Sequence, residues 1–253
     1  MSSLNIITNK KFKNFFDVCN YQRKIEFLVL HHVGAESIDD AVKQFKEHRV
    51  SAHYIIDEKG KIYNIVSEQD IAYHCGYSYW RGVNSLNNFS IGIEFINKKP
   101  FAKKFTKTQI SSGIKICCEL IKKYKIKPYN IIGHSDIAYN SENGFLDRKQ
   151  DPSHYFDWEY LAKNGIGTFP DIKNDFIKDR VLFKNGNKNL EIINIKLKLK
   201  NFGYLVNNLN DEFNEEMKLL TRVFNRRFNS KKFKTNPDAW YLSSNAILNK
   251  LVF

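Results

Sequence analysis

Two β-type runs in this chain end on histidines, and nothing else in it constrains the fold as strongly. Ile25-Glu26-Phe27-Leu28-Val29-Leu30 delivers His31 and His32, and a second run over 129–132 hands on, through Gly133, to His134. His134 opens the string G-H-S-D-I-A, and after an insertion the chain reads D-R-K-Q-D-P, which contains Lys149 and Asp151. Two histidines and a carboxylate, each at a strand end or in the loop after it, are what a catalytic zinc needs. Three protein donors of mixed N and O type leave the fourth tetrahedral position for a water. A closed structural zinc takes four ligands, usually with paired cysteines, and the chain has no such pairs.

Each of these residues has an ordinary explanation when taken alone. A single histidine is more often a hydrogen-bonded structural residue than a ligand. Asp-Pro marks a turn, and a lone lysine is a surface charge. The set gains weight from Ser90-Ile91-Gly92-Ile93-Glu94-Phe95, a strand pattern with one acid, Glu94, among apolar residues. A carboxylate there is costly to bury unless something polar or charged faces it.

With these strings assembled, the chain resembles the zinc-dependent N-acetylmuramoyl-L-alanine amidases of the AmpD/AmiD type, which share a fold with a phage lysozyme and the peptidoglycan recognition proteins. The matching segments, in the family's order, are F-L-V-L-H-H, S-A-H-Y-I-I-D-E-K-G-K-I-Y, A-Y-H-C-G, N-N-F-S-I-G-I-E-F, I-I-G-H-S-D-I-A, R-K-Q-D-P and F-D-W-E-Y-L-A-K-N-G-I-G. They cover roughly residues 22 to 170. The resemblance implies His31, His134 and Asp151 as ligands of Zn2+, with His31 preferred to His32 because the family ligand directly follows the apolar strand. It also implies Glu94 and Lys149 as catalytic residues, and the amide between N-acetylmuramic acid (or its anhydro form) and L-alanine as the bond cut. His53 and His74 match recurrent family histidines near the cleft. Together with Trp80 and Arg81, from an aromatic cluster that includes Tyr73, Tyr77 and Tyr79, they are the expected substrate-binding residues. The stretch Tyr139 to Asp147 is longer than the family's usual connection.

The rest of the chain sets bounds. At 253 residues, 42% hydrophobic with 20 Phe and 13 Tyr, it has enough apolar material for a proper core. No apolar run approaches the ~20 residues of a membrane helix. The first residues lack the apolar region and cleavage site of a signal peptide. Cys19, Cys75, Cys117 and Cys118 show no C-x-x-C spacing and are expected as free thiols packed as small apolar groups. The net charge of +13 suits anionic partners. Without zinc-finger spacing, an RNP-like motif or a Gly-rich phosphate loop, however, nucleic acid is not the expected partner; peptidoglycan or a muropeptide is. The competing reading is a non-catalytic recognition protein of the same fold. Such relatives lose a metal ligand, and here all three positions are filled. A wall-binding tail favours the periplasm, the expected location, whereas the missing signal peptide favours the cytoplasm as the alternative.

The pattern of elements is strand 25–31, helix 38–48, strands 52–57 and 61–66 joined by an Asp57-to-Gly60 turn, a loop-rich stretch 70–89, strand 90–97, helix 107–125 and strand 129–132. Thr106 and Gln109 form a candidate capping box. Strands interleaved with helices imply an α/β domain with a mixed central sheet flanked by helices. The expected division is a catalytic domain over 1–170, a linker over 171–187 and a small three-helix bundle over 188–253. The bundle rests on helical patterns near 188–201, 211–228 and 243–252. It resembles the peptidoglycan-binding domain that follows some amidase domains.

Overall fold

The structure, a computed structural model, describes residues 4–8, 22–99, 102–171 and 179–252. In chain order the elements are β1 Ile6–Thr8, β2 Phe27–Val33, α1 Ile38–His48, β3 Tyr54–Ile56, β4 Ile62–Asn64, β5 Tyr79–Trp80, β6 Val83–Asn84, β7 Ser90–Ile96, α2 Lys107–Tyr124, β8 Ile131–Gly133 and the single turn α3 His134–Ile137. There follow α4 Trp158–Lys163, β9 Val181–Phe183, α5 Leu190–Phe202, α6 Glu215–Phe228, α7 Ser230–Thr235, β10 Trp240–Tyr241 and α8 Leu242–Leu251. The main sheet runs β1-β4-β3-β7-β2-β8. Strand β2 is parallel to both β7 and β8, and only the β3–β4 pair is antiparallel. The expected mixed sheet is present, with β1 added at its edge.

The period-2 alternation of β2 divides the core. Leu28 and Leu30 join Ile91, Ile93 and Phe95 on the face covered by α2. Phe27 and Val29 face the opposite way and join Ile192, Ile195, Leu199, Phe224 and Phe228 from the C-terminal helices in one apolar cluster. Farther along that second face, Val33, Ile55 and Ile96 receive Val42 and Phe45 of α1. A strip of sheet around His31 is left between the C-terminal helices and α1.

Helix α1 keeps its expected bounds because Ser37 caps it, accepting from Asp40 N, and Arg49 ends it in the left-handed region. Helix α2 starts at the expected cap, where Thr106 accepts from Gln109 N. The Gln109 side chain does not return to close the box. Its amide is buried and donates to the carbonyls of Ile56 and Ile96, tying α2 to the sheet. The buried side of α2 is Ile110, Gly113, Ile116, Cys117 and Leu120; Cys118, next to Cys117, falls off that side and is exposed rather than packed. Cys19 lies outside the described residues.

The separation between catalytic and C-terminal parts differs from expectation. Residues 181–183, inside the expected linker, form β9 and pair with β10, while 172–178 lie outside the described residues. The helices after it share their apolar cluster with the preceding part. Their apolar faces are completed by Phe27, Val29, Trp80, Ile132 and Ile137 of the preceding part. Among the described residues no helix is long and apolar enough to cross a membrane.

Candidate active site

Parallel registry assembles the site. The pairs Val29↔Gly92, His31↔Glu94 and Leu30↔Gly133 put His31 and Glu94 on the same face, and His134 one step past the last β2–β8 pair. The row across the sheet is therefore His134, His31, Glu94. Asp151 comes from the loop after α3, and Ser135 N donates to its carbonyl at 2.8 Å. Its Oδ2 lies 3.1 Å from both His31 Nδ1 and His134 Nδ1. The donor atoms of His31, His134 and Asp151 all lie within 4.8 Å of one another. His32, one residue on, takes the other face beside Phe105.

Neighbouring groups define which ring nitrogen is free. His134 Nε2 lies 3.0 Å from the carbonyl of Cys75, which can only accept, so this nitrogen carries the proton and Nδ1 keeps its lone pair. His31 Nε2 lies 3.0 Å from His74 Nδ1. A consistent chain follows: His31 Nε2 donates to His74 Nδ1, His74 Nε2 donates to Ser90 Oγ at 3.3 Å, and Ser90 donates to the carbonyl of Leu86 at 2.7 Å. Both imidazoles thus present a bare Nδ1 beside a carboxylate, the donor set that a divalent metal of zinc type takes.

His31 is lowered to about 4 by burial, with His134 adding and Asp151 opposing. Burial alone would raise Asp151, but His134 and His31 hold its carboxyl well below the usual range. Burial, with Asp151 adding, pushes Glu94 well above the ordinary carboxylate value, and Lys149 pulls the other way. Glu94 Oε2 is buried and has no hydrogen-bond partner among the described residues. Lys149 is exposed at the loop's end.

Histidine His31 also lies close to His74 and Cys75, whose donors form a second group within 4.8 Å. In that group burial raises the Cys75 thiol, and the two histidines already spend the facing nitrogens on each other.

Four residues expected to bind substrate sit elsewhere. His53 is 0% exposed. Its Nδ1 accepts from Gly92 N at 3.0 Å, and its Nε2 lies between Arg23 and the Asp70 carbonyl. His74 is buried with its ring against Gly92, where an added Cβ would lie 2.5 Å from the ring; it supports His31 and does not face the cleft. Trp80 is 0% exposed, donates to the Tyr129 carbonyl at 2.9 Å and packs edge-on against Phe202 and Tyr204. Arg81 donates to the Phe202 carbonyl at 2.6 Å and lies 4.3 Å over Tyr129. The last two join the two halves of the chain. From the same cluster Tyr73, Tyr77 and Arg81 are exposed, and Tyr77 lies 6.0 Å from Tyr139. Sequence reasoning missed Ser90, the Cys75 carbonyl and Arg148, whose guanidinium spans the carbonyls of Cys75, Tyr77 and Tyr139. No motif marks a backbone acceptor. A groove of about 690 Å³ lined by Phe105, His154, Tyr155, Trp158 and Lys234 holds none of the donors.

Residues 21–154 match the family model for N-acetylmuramoyl-L-alanine amidase. The N-acetylmuramoyl-L-alanine amidase AmiD of Escherichia coli is 37% identical over 163 residues, 58% of this chain and 56% of that protein, so the match spans little more than half of that relative. The 1,6-anhydro-N-acetylmuramyl-L-alanine amidase AmpD of Haemophilus influenzae is 33% identical over 170 residues, 58% of this chain and 86% of that protein. The structure of Escherichia coli AmiD in complex with the substrate anhydro-N-acetylmuramic acid-L-Ala-D-gamma-Glu-L-Lys aligns with a TM-score of 0.72 at 28% identity, covering 92% of this chain and 90% of that one. AmpDh3 from Pseudomonas aeruginosa, in complex with anhydromuramic pentapeptide, aligns with the same TM-score at 25% identity, over 94% and 95%. A model matched over more than half of the chain, around the row of donors the sheet assembles, makes this protein a member of the N-acetylmuramoyl-L-alanine amidase family.

Proposed function

We propose that this protein hydrolyses the amide between N-acetylmuramic acid, or its anhydro form, and L-alanine in peptidoglycan or muropeptides, with one zinc ion held by His31, His134 and Asp151. The observation that carries the reading is Glu94 Oε2, buried, unpartnered and on the same sheet face as His31. A recognition protein has no use for a desolvated carboxylate aimed at an intact set of donors. Bound zinc supplies Lewis acidity and brings a water's pKa toward ~7.

The chain's own residues do the rest. Glu94 takes the proton of the attacking water at Oε2 and returns it to the departing amine of L-alanine. A carboxyl raised by burial suits a group that must both accept and release a proton near neutrality. The carbonyl oxygen gains negative charge as the bond breaks, and the Lys149 ammonium at the mouth offsets it. Tyr77 and Tyr139 on the rim offer ring faces to the sugar. Arg148 holds those two tyrosines' backbones together from behind.

The test is incubation with a defined anhydro-muropeptide, with and without a chelator, followed by mass analysis. Release of the free stem peptide that stops on chelation and returns with zinc is the expected result. Binding of the muropeptide without cleavage by zinc-loaded protein would reverse the reading in favour of recognition.

A further inference from the structure

Helix α6 carries three arginines, Arg222, Arg226 and Arg227, beside its apolar residues Met217, Leu220, Val223, Phe224 and Phe228. Arg226 and Arg227 are buried and Arg222 is mostly so. All three reach back to the part of the chain before the C-terminal helices. Arg226 donates to Asp147 Oδ1 at 2.5 Å and Arg222 to Asp147 Oδ2 at 2.9 Å. Arg222 is itself held by a two-pronged pair with Asp238, at 2.7 and 2.8 Å. Arg227 donates to Asp136 Oδ2 at 2.6 Å and to the Ile131 carbonyl at 3.0 Å, with its guanidinium 4.2 Å over the Trp158 ring. Tyr204 donates to the other oxygen of Asp136 at 3.2 Å.

Both acids sit beside the metal donors in sequence. Asp136 is two residues past His134, and its Oδ2 also accepts from Gly133 N at 2.8 Å, so it brackets that histidine. Asp147 comes two residues before Lys149 and four before Asp151, at φ +76°, where the chain turns into the last donor's loop. The side chains of Asp136 and Asp147 are 1% and 5% exposed. Burying such pairs is a poor route to stability, because desolvation cancels most of the attraction. Their best-attested use is to fix one arrangement among several.

We propose that α6 is the positioning element of the metal site. Arg222 and Arg226 act through Asp147, and Arg227 and Tyr204 act through Asp136, to set the distance between His134 on one loop and Asp151 on the other. The C-terminal helices are on this view part of the catalytic unit. The inference rests on the reading that His31, His134 and Asp151 hold zinc.

The test uses the full chain with Asp147→Asn, which keeps a residue type that tolerates positive φ and removes only the charge, and with Tyr204→Phe. Readouts are zinc affinity by chelator competition, the visible spectrum of the Co2+-substituted protein, and melting of the metal-free protein. The expected result is a 10- to 100-fold loss of zinc affinity for Asp147→Asn, about the size seen for groups that orient metal ligands. A smaller loss in Tyr204→Phe and an altered Co2+ spectrum should accompany it; metal-free melting falls in Asp147→Asn because Arg226 loses its buried partner, whereas in Tyr204→Phe, which orphans no charge, the affinity loss is expected with metal-free melting little changed. Should Asp147→Asn fail to fold, Arg222→Gln, which leaves Arg226 in place, is expected to show the same effect at reduced size. Wild-type affinity and spectrum in these variants would overturn the proposal. So would an affinity loss in Tyr204→Phe that merely tracks a fall in metal-free melting. His31→Ala serves as the control: if it keeps full zinc affinity, the metal assignment itself has failed, whatever α6 does.

Discussion

Alternation along β2 decides which histidine faces the donors. His31 shares a face with Phe27 and Val29 and lands in the row with Glu94, whereas His32 points to the α2 side beside Phe105. His31→Ala is therefore expected to lose zinc by elemental analysis, and His32→Ala to retain it. For Glu94, replacement by Gln keeps size and polarity but removes the proton acceptor. Glu94→Gln is expected to bind zinc normally and to lose about 10²- to 10⁴-fold in turnover on a muropeptide. Near-normal cleavage by that variant would show that another group moves the proton. At this scale the grouping of His31, His134 and Asp151 was legible because ligand chemistry restricts residue type and both histidines are delivered by strands. What was not legible was burial. A histidine or tryptophan in a family-like string looks the same whether it faces the cleft, as His53 and Trp80 were expected to, or lies under the sheet and between the halves, as they do.

At the level of elements, helix and strand periods were readable: α1 keeps its expected bounds, and α2 begins at its expected cap. The short strands β5, β6, β9 and β10 were not, since pieces of two or three residues carry no period. What pins β3, β7 and the loop before β5 together is also tertiary: His53 accepts from Gly92 N while Arg23 reaches the carbonyls of Glu68, Asn87 and Ser90. Burial, with Arg23 adding, lowers His53 from 6.5 to about 3. Between these values the unfolded chain binds a proton that the folded chain refuses. The contribution is therefore complete above about pH 6.5 and is lost progressively as pH falls toward 3, at up to about 1.4 kcal/mol per pH unit. Urea midpoints of wild type and His53→Gln across pH 7 to 4 check this. The wild type should show the steeper loss below pH 6.5, and parallel curves would mean that His53 does not carry the acid sensitivity.

For the molecule as a whole, the helical nature of the C-terminal third was legible in its apolar stripes, but its relation to the sheet was not. A stripe such as Phe213, Met217, Leu220, Phe224 and Phe228 states that a helix must bury one side and is silent about against what. The string R-V-F-N-R-R-F held the clue: buried arginines need carboxylates, and the acids that meet Arg227 and Arg226, Asp136 and Asp147, lie 91 and 79 residues earlier. A chain cut after Asp171 would expose Phe27, Val29, Trp80, Ile132 and Ile137, all buried against the C-terminal helices. At roughly 1.5–3 kcal/mol per large side chain, the loss is comparable with the ~5–15 kcal/mol by which a domain is stable at all. It would also leave Asp136 buried without Arg227 and Tyr204, a further cost of several kcal/mol, roughly the penalty of an orphaned buried charge. The truncated chain is accordingly expected to lose cooperative melting and to fail equally on insoluble sacculi and on a small muropeptide. Had the tail been an independent wall-gripping module, cleavage of the small substrate would survive the cut and only the polymer would be spared. A soluble 1–171 chain that melts cooperatively and cleaves the muropeptide at the full-length rate would restore that picture.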